Sequence, residues 1–158
     1  QLGMEDAVLF TGVQSNPFAL LKKADVYALT SESEGFPNAL IEAMTVGIPC
    51  VSANCLTGPA EILHEQYEQC MDDSRTFHAD YGILTGIFLG EKNMDAHQFT
   101  DEERCFAAEL EALLKDEQQY QKYCQAALER AEVFGMERYL CRIRALIETD
   151  LAEETIGR

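Results

Sequence analysis

Three short apolar runs constrain the fold more than any other feature of this sequence. Ala7–Thr11 (AVLFT), Val26–Thr30 (VYALT) and Cys50–Ala53 (CVSA) are four or five residues long and flanked by Gly, Pro, Ser or Asp. Runs of that length suit strands buried on both faces, and helical signals fill the gaps between them. Ser15-Asn16-Pro17 is a cap residue followed by proline, which predicts a short helix over Pro17–Lys23. A polar loop, Ser31–Phe36, opens a longer helix from Pro37 to Val46, and Gly47 with Pro49 stops it. After the third run, Thr57-Gly58-Pro59 predicts a turn and a single turn of helix through Leu63. Strands that alternate with helices predict right-handed parallel βαβ units and therefore an α/β fold.

The second half reads differently. Residues 64–80 are polar and irregular, and no element is assigned there. A weak fourth strand is expected in Tyr81–Leu89, where Gly82, Gly86 and Gly90 bracket Ile83, Leu84, Ile87, Phe88 and Leu89. Thr100 with Glu103 forms a capping box that starts a helix to Lys115. A second helix runs from Asp116 to Phe134, with Gly135 as its stop, and a third from Met136 to Ala152. Those breaks favour packed helices over a coiled coil, and Arg138, Arg142 and Arg144 read as a solvated face. At the other end, Gly3 reads as the glycine just past a helix, so the chain is expected to begin within a domain. Residues 1–158 would then be one partial domain with a helical end over 100–152.

Charge removes whole classes of partner. With 28 acidic against 12 basic side chains, the formal charge is −16. Such a chain repels phosphate backbones and anionic lipid, so no nucleic acid partner is expected. No apolar run approaches the ~18 residues of a membrane span, and no basic-then-apolar signal segment is expected in these residues. The six cysteines form no C-x-x-C pair, which suits reduced thiols in a cytosolic protein. His64, His78 and His97 lie 14 and 19 residues apart, too widely for a structural zinc pattern, so no metal is expected.

In an open parallel sheet, ligands bind beyond the carboxyl ends of the strands. Three loops leave those ends: Gly12–Asn16, Ser31–Phe36 and Asn54–Gly58. The helix after the middle loop is apolar around most of its circumference, but Asn38, Glu42 and Thr45 share a stripe roughly 60° wide. That stripe is either a narrow solvent face or a crevice face on which a carboxylate accepts hydrogen bonds from vicinal hydroxyls. The amides of Gly35, Phe36, Asn38 and Ala39 are unpaired by the helix, and Gly35 permits close approach. Glu32 and Glu34 also have a purely structural explanation, since acidic residues favour a helix start.

Taken together, these residues resemble a known family. Ser31–Pro49 (SESEGFPNALIEAMTVGIP), with Glu34 and Glu42 separated by seven residues, is similar to the donor-site signature of retaining glycosyltransferases of family 4, the two-Rossmann-domain (GT-B) type. The flanks resemble it as well: Val8–Gly12, Ala24-Asp25-Val26, Gly58–Ile62 and Tyr81–Leu84 fall in the family's order. The resemblance implies a Rossmann-like parallel sheet with flanking helices, the C-terminal donor-binding half of such an enzyme. It implies that Glu34 contacts donor-sugar hydroxyls near the reacting face, and that Glu42 binds the ribose hydroxyls. The amides of Gly35, Phe36, Asn38, Ala39 and Leu40 would approach the sugar and diphosphate, with Pro37 among them in the donor-binding loop. The backbone at Gly12 and Val13 would meet the base, and Ser31 would shape the loop.

By the same resemblance the substrate is a nucleotide-diphosphate sugar, with no cofactor and no metal. The acceptor, a saccharide or a lipid-linked one, would be held by an N-terminal domain and upstream strands absent from these residues. The setting implied is cytoplasmic polysaccharide or glycolipid synthesis, with a peripheral place at the inner face of the membrane as an option for the full-length enzyme. The crevice loops carry no Lys or Arg to meet a leaving diphosphate, so this chain alone is expected not to turn over. A sugar-nucleotide epimerase of the same fold and a non-catalytic nucleotide-sugar-binding module are the alternatives.

Overall fold

The computed structural model describes residues 3–55, 57–70, 75–88, 95 and 98–156, with side chains described as far as residue 148. Helix α1 (Phe18–Leu21) leads to strand β1 (Tyr27–Leu29), helix α2 (Asn38–Met44), strand β2 (Cys50–Ala53) and helix α3 (Pro59–Leu63). A 3-10 turn at Tyr67–Gln69 and the two-residue strand β3 (Phe77–His78) precede β4 (Ile83–Thr85). Helices α4 (Asp101–Lys115), α5 (Glu117–Val133) and α6 (Met136–Ile156) complete the chain.

The sheet has the order β1-β2-β4-β3. β1 runs parallel to β2, with Tyr27 opposite Cys50, and β2 parallel to β4, with Val51 opposite Ile83. β3 is antiparallel to β4 and lies at the edge. Central β2 is buried at every residue, as a parallel strand covered on both faces should be. Alternation then sorts its side chains. Cys50 joins Leu40, Met44, Leu63 and Leu84 in the layer under α2 and α3, while Val51 joins Ile83, Phe106 and Leu113 under α4. Helix α5 seals both layers, giving Ala127 and Ala131 to the first and Tyr123 to the second.

Local chemistry explains the helix ends. Gly47 takes φ 75°, and its amide donates to the Met44 carbonyl at 3.0 Å while that of Ile48 donates to Ala43 at 3.5 Å. That is the Schellman closure that the glycine predicts. Thr100 accepts from the Glu103 amide and Glu103 accepts from the Thr100 amide, the expected reciprocal box. Arg130 on α5 donates to the carbonyls of Glu61 and Ile62 at 2.7 and 2.8 Å, taking up acceptors at the end of α3.

Three expectations are corrected. Ala7–Thr11 forms no strand: Leu9 and Phe10 are 83% and 92% exposed, and no strand pairs with the outer edge of β1 among the described residues. An apolar run becomes a strand only where a neighbour takes its backbone groups and a layer covers its side chains. The unassigned stretch 64–80 supplies β3, whose two residues carry no readable periodicity. The fourth strand forms but is shorter than expected, and Leu89 and Gly90 lie outside the described residues. No helix among the described residues is long and apolar enough to cross a membrane.

Candidate functional site

Two of the three expected loops meet at the carboxyl end of the sheet. The Thr57 hydroxyl, in the loop after β2, donates to the Glu34 carbonyl in the loop after β1 at 2.6 Å. Gly58 sits beside the same loop with φ 84°, and a Cβ there would stand 2.6 Å from both the Gly35 carbonyl oxygen and Pro37 Cδ. No side chain fits, so glycine is required for the two loops to touch. The buried Cys55 thiol lies against Glu34, its pKa pushed up chiefly by burial. The third loop is apart from them: Gly12 (φ 61°) and Val13 are exposed, and no described hydrogen bond links them to Glu34 or Glu42.

The two glutamates are differently held. Ser31 donates its hydroxyl to Glu34 Oε1 at 2.6 Å, which fixes the carboxylate while leaving it half-buried. Glu42 is half-buried one turn along α2 from the exposed Asn38. The Tyr27 hydroxyl, at the start of β1, has its pKa raised first by burial and then by the negative charges of Cys50, Glu34 and Glu42. Of the loop amides, that of Leu40 is already engaged, donating to the Pro37 carbonyl at 3.0 Å, and its side chain is fully buried in the core. Pro37 is buried, whereas Gly35, Phe36 and Ala39 are exposed.

Beside Glu42 lies a cleft of about 660 Å³. Phe36, Asn38, Ile41 and Glu42 form one side, and Val133, Phe134, Tyr139 and Arg142 the other. Phe36 and Phe134 meet edge-to-face across it, with centroids 5.6 Å apart. A second depression of about 510 Å³, on the α4 side, is lined by Thr30, Glu32, Phe88, Phe99 and Phe106 among others. Among the described residues, no three His, Cys, Asp or Glu side chains are grouped so as to hold a metal ion.

The cleft offers the Glu42 carboxylate for hydroxyls, loop backbone at Phe36 and Asn38 and an aromatic wall, with room for a nucleotide or a sugar; Glu34 is not among its lining residues. Residues 1–76 match the family model for glycosyl transferases group 1. That match contains the whole of Ser31–Pro49, the stretch whose resemblance was read from sequence. An uncharacterized glycosyltransferase of Methanocaldococcus jannaschii is 32% identical over 151 residues, covering 94% of this chain and 37% of that protein. The lipopolysaccharide 1,6-galactosyltransferase of Escherichia coli K12 is 42% identical over 67 residues, 40% of this chain and 19% of that enzyme. The chain thus spans little more than a third of the first of these relatives and a fifth of the second. Among solved structures, Anabaena HepE in complex with UDP superposes with a TM-score of 0.71 at 22% identity, over 93% of this chain and 34% of that one. That likeness shows the fold: an open, mostly parallel Rossmann-like sheet with flanking helices and a helical C-terminal part.

Sequence reasoning located the middle loop and α2 but missed the far wall of the cleft. Tyr139 and Arg142 stand three residues apart on α6, and only the packing of the α5–α6 corner brings them to Glu42. Thr57 and Tyr27 were likewise not singled out. Their signals are nonlocal: each acts on a loop that another strand delivers.

Proposed function

We propose that this chain is the donor-binding part of a retaining glycosyltransferase that takes a nucleotide-diphosphate sugar without a bound metal. The observation that carries the reading is the half-buried Glu42 lining the cleft, with Glu34 held by Ser31 in the loop that leads into the same helix. Glu42 would accept hydrogen bonds from the two ribose hydroxyls, for which an ionised carboxylate has spare acceptor sites. Glu34 would hold the donor sugar by its hydroxyls, close to the bond that breaks. The exposed amides of Gly35, Phe36 and Ala39, with that of Asn38, would approach the sugar and diphosphate. Leu40 would contribute through the turn its amide closes, and Pro37 through the shape of the loop. The backbone at Gly12 and Val13 would contact the base when their loop is brought to the sheet end.

Transfer also requires an acceptor. We assign its binding to an N-terminal domain outside these residues and the setting to the cytoplasmic side, and we assign the reaction to polysaccharide or glycolipid synthesis, in line with the name of the lipopolysaccharide galactosyltransferase relative. Closure of two domains would then exclude water from the activated sugar. On this reading the chain by itself binds donor but transfers no sugar. Incubation with a radiolabelled nucleotide-sugar and mixed acceptors should give no product, and product formed by the isolated chain would refute that assignment.

The decisive test is calorimetric titration with UDP, GDP and ADP, beside a Glu42→Ala variant. One nucleotide should bind, and the variant should lose about 1–3 kcal/mol of that affinity because ribose hydroxyls are left unpaired. A variant that binds as tightly as the parent would sink the assignment of Glu42.

A further inference from the structure

The loop that carries Glu34 is poorly held by its own backbone. Among the described residues, no backbone–backbone hydrogen bond engages residues 31–36. Gly35, which follows Glu34, is the residue type with the widest conformational freedom. A carboxylate on such a loop keeps one position only if something outside the loop fixes it. We propose that Thr57, in the loop after β2, is the positioning residue that sets Glu34 for the donor sugar. This rests on the donor reading above and deepens it, by naming what holds the sugar-facing carboxylate in place.

Three observations carry it. The Thr57 hydroxyl donates to the Glu34 carbonyl at 2.6 Å, across 23 residues of sequence. In a trans peptide the carbonyl and the following N–H point in opposite directions, and no described peptide bond is cis. A Glu34 carbonyl drawn to Thr57 therefore turns the Gly35 amide the other way, so one bond orients two groups that the donor reading uses. Next, Glu34 is held at its other atoms too. Ser31 donates to its Oε1 at 2.6 Å, and its backbone hydrogen-bonds the buried Cys55 thiol. Finally, the chain next to Thr57 backs the same peptide. A Cβ at Gly58 would stand 2.6 Å from the Gly35 carbonyl oxygen, so the two loops already touch through their backbones. Thr57 itself is exposed. Its methyl adds little to the core, and the hydroxyl is what the position supplies.

The experiment separates the sugar from the nucleotide. The parent chain, Thr57→Val, Thr57→Ser, Glu34→Ala and the double variant Thr57→Val with Glu34→Ala are titrated with UDP, GDP and ADP, and with UDP-glucose, UDP-galactose, GDP-mannose and ADP-glucose. Thr57→Val keeps the shape of the side chain and removes the donor. It should weaken the bound nucleotide-sugar about three- to tenfold and leave the bare nucleotide unchanged. Thr57→Ser should restore the affinity, because the hydroxyl returns. In the Glu34→Ala background Thr57→Val should cause no further loss, since the two residues act as one unit. A Thr57→Val chain that binds the nucleotide-sugar like the parent overturns the role of Thr57 and leaves the donor reading standing. Equal losses for nucleotide and nucleotide-sugar also overturn it, as do losses that add in the double variant, because Thr57 then acts on the fold and not through Glu34. A parent that binds a nucleotide but gains or loses nothing from any of the sugars overturns it as well, since Glu34 then holds no sugar. If the parent binds none of the nucleotides or nucleotide-sugars, the proposal and the donor reading fail together.

Discussion

Gly58 shows how much one position can decide. Its φ of 84° is open to glycine, and the space a Cβ needs is taken at 2.6 Å by the Gly35 carbonyl and by the Pro37 ring. The first of these is backbone and cannot swing aside. Gly58→Ala should therefore cost about 1–3 kcal/mol in a denaturant titration and push the Glu34 loop away from the sheet. The same variant should weaken nucleotide binding, and unchanged stability would show that the loops are not in contact. Gly58 was legible as part of a turn with Pro59, but the reason for glycine was not, because the atoms that exclude a side chain belong to a loop more than twenty residues earlier. Glu34 and Glu42 were legible because their signature is local: a loop and the first turns of one helix. Arg142 was read as solvated, and exposed it is; its place on the cleft depends on how α6 leaves α5.

Among the elements, the connection from α3 to β4 is the one whose behaviour with pH can be worked out. Asp80 accepts from the Glu65 amide at 2.9 Å and faces His64 Nδ1 at 2.7 Å, while the Tyr81 amide donates to the Leu63 carbonyl. The Glu65 amide holds the Asp80 carboxyl below its ordinary value against the opposing effect of burial, and the hydrogen bond and charge of His64 add to the lowering. A depressed carboxylate contributes stability above its unfolded value of about 4, and that contribution is lost as pH falls through the lower folded value. Denaturation at about pH 6 and about pH 3 should show the loss, and Asp80→Asn should reduce the difference. A variant with the parent's full pH dependence would place the acid sensitivity elsewhere. Residues 64–80 offered no such reading from sequence, since polar side chains without periodicity become a structured link only when a partner such as Asp80 returns to the turn. In contrast, α4 was legible to its first residue, because Thr100 and Glu103 satisfy each other's amides within four positions.

At the scale of the whole molecule, charge and exposure act together. Large apolar side chains stand open to solvent near both ends of the described residues. Val8, Leu9 and Phe10 near the start and Met136, Leu146 and Ile147 on α6 are among them. With a net charge of −16, self-repulsion opposes compaction. Raising ionic strength from about 20 mM to about 200 mM should therefore raise the melting temperature, as screening lengths shorten to about 10 Å or less. A melting temperature that falls with salt would mean that favourable ion pairs outweigh the repulsion.

What the sequence determined by itself follows from chemistry that acts over a few residues. Apolar runs made β1 and β2, Gly47 with Pro49 ended α2, Thr100 capped α4, and Ser31–Pro49 carried the resemblance that the family match then met. What the tertiary structure decided needed a partner distant in sequence. The run Ala7–Thr11 has no strand partner among the described residues, β3 formed only because β4 lay beside it, and Gly58 and Arg142 acquired their places from loops and helices that packing delivered. Helix ends are satisfied by their own neighbours, whereas strands and clefts are completed by whatever the rest of the chain brings to them.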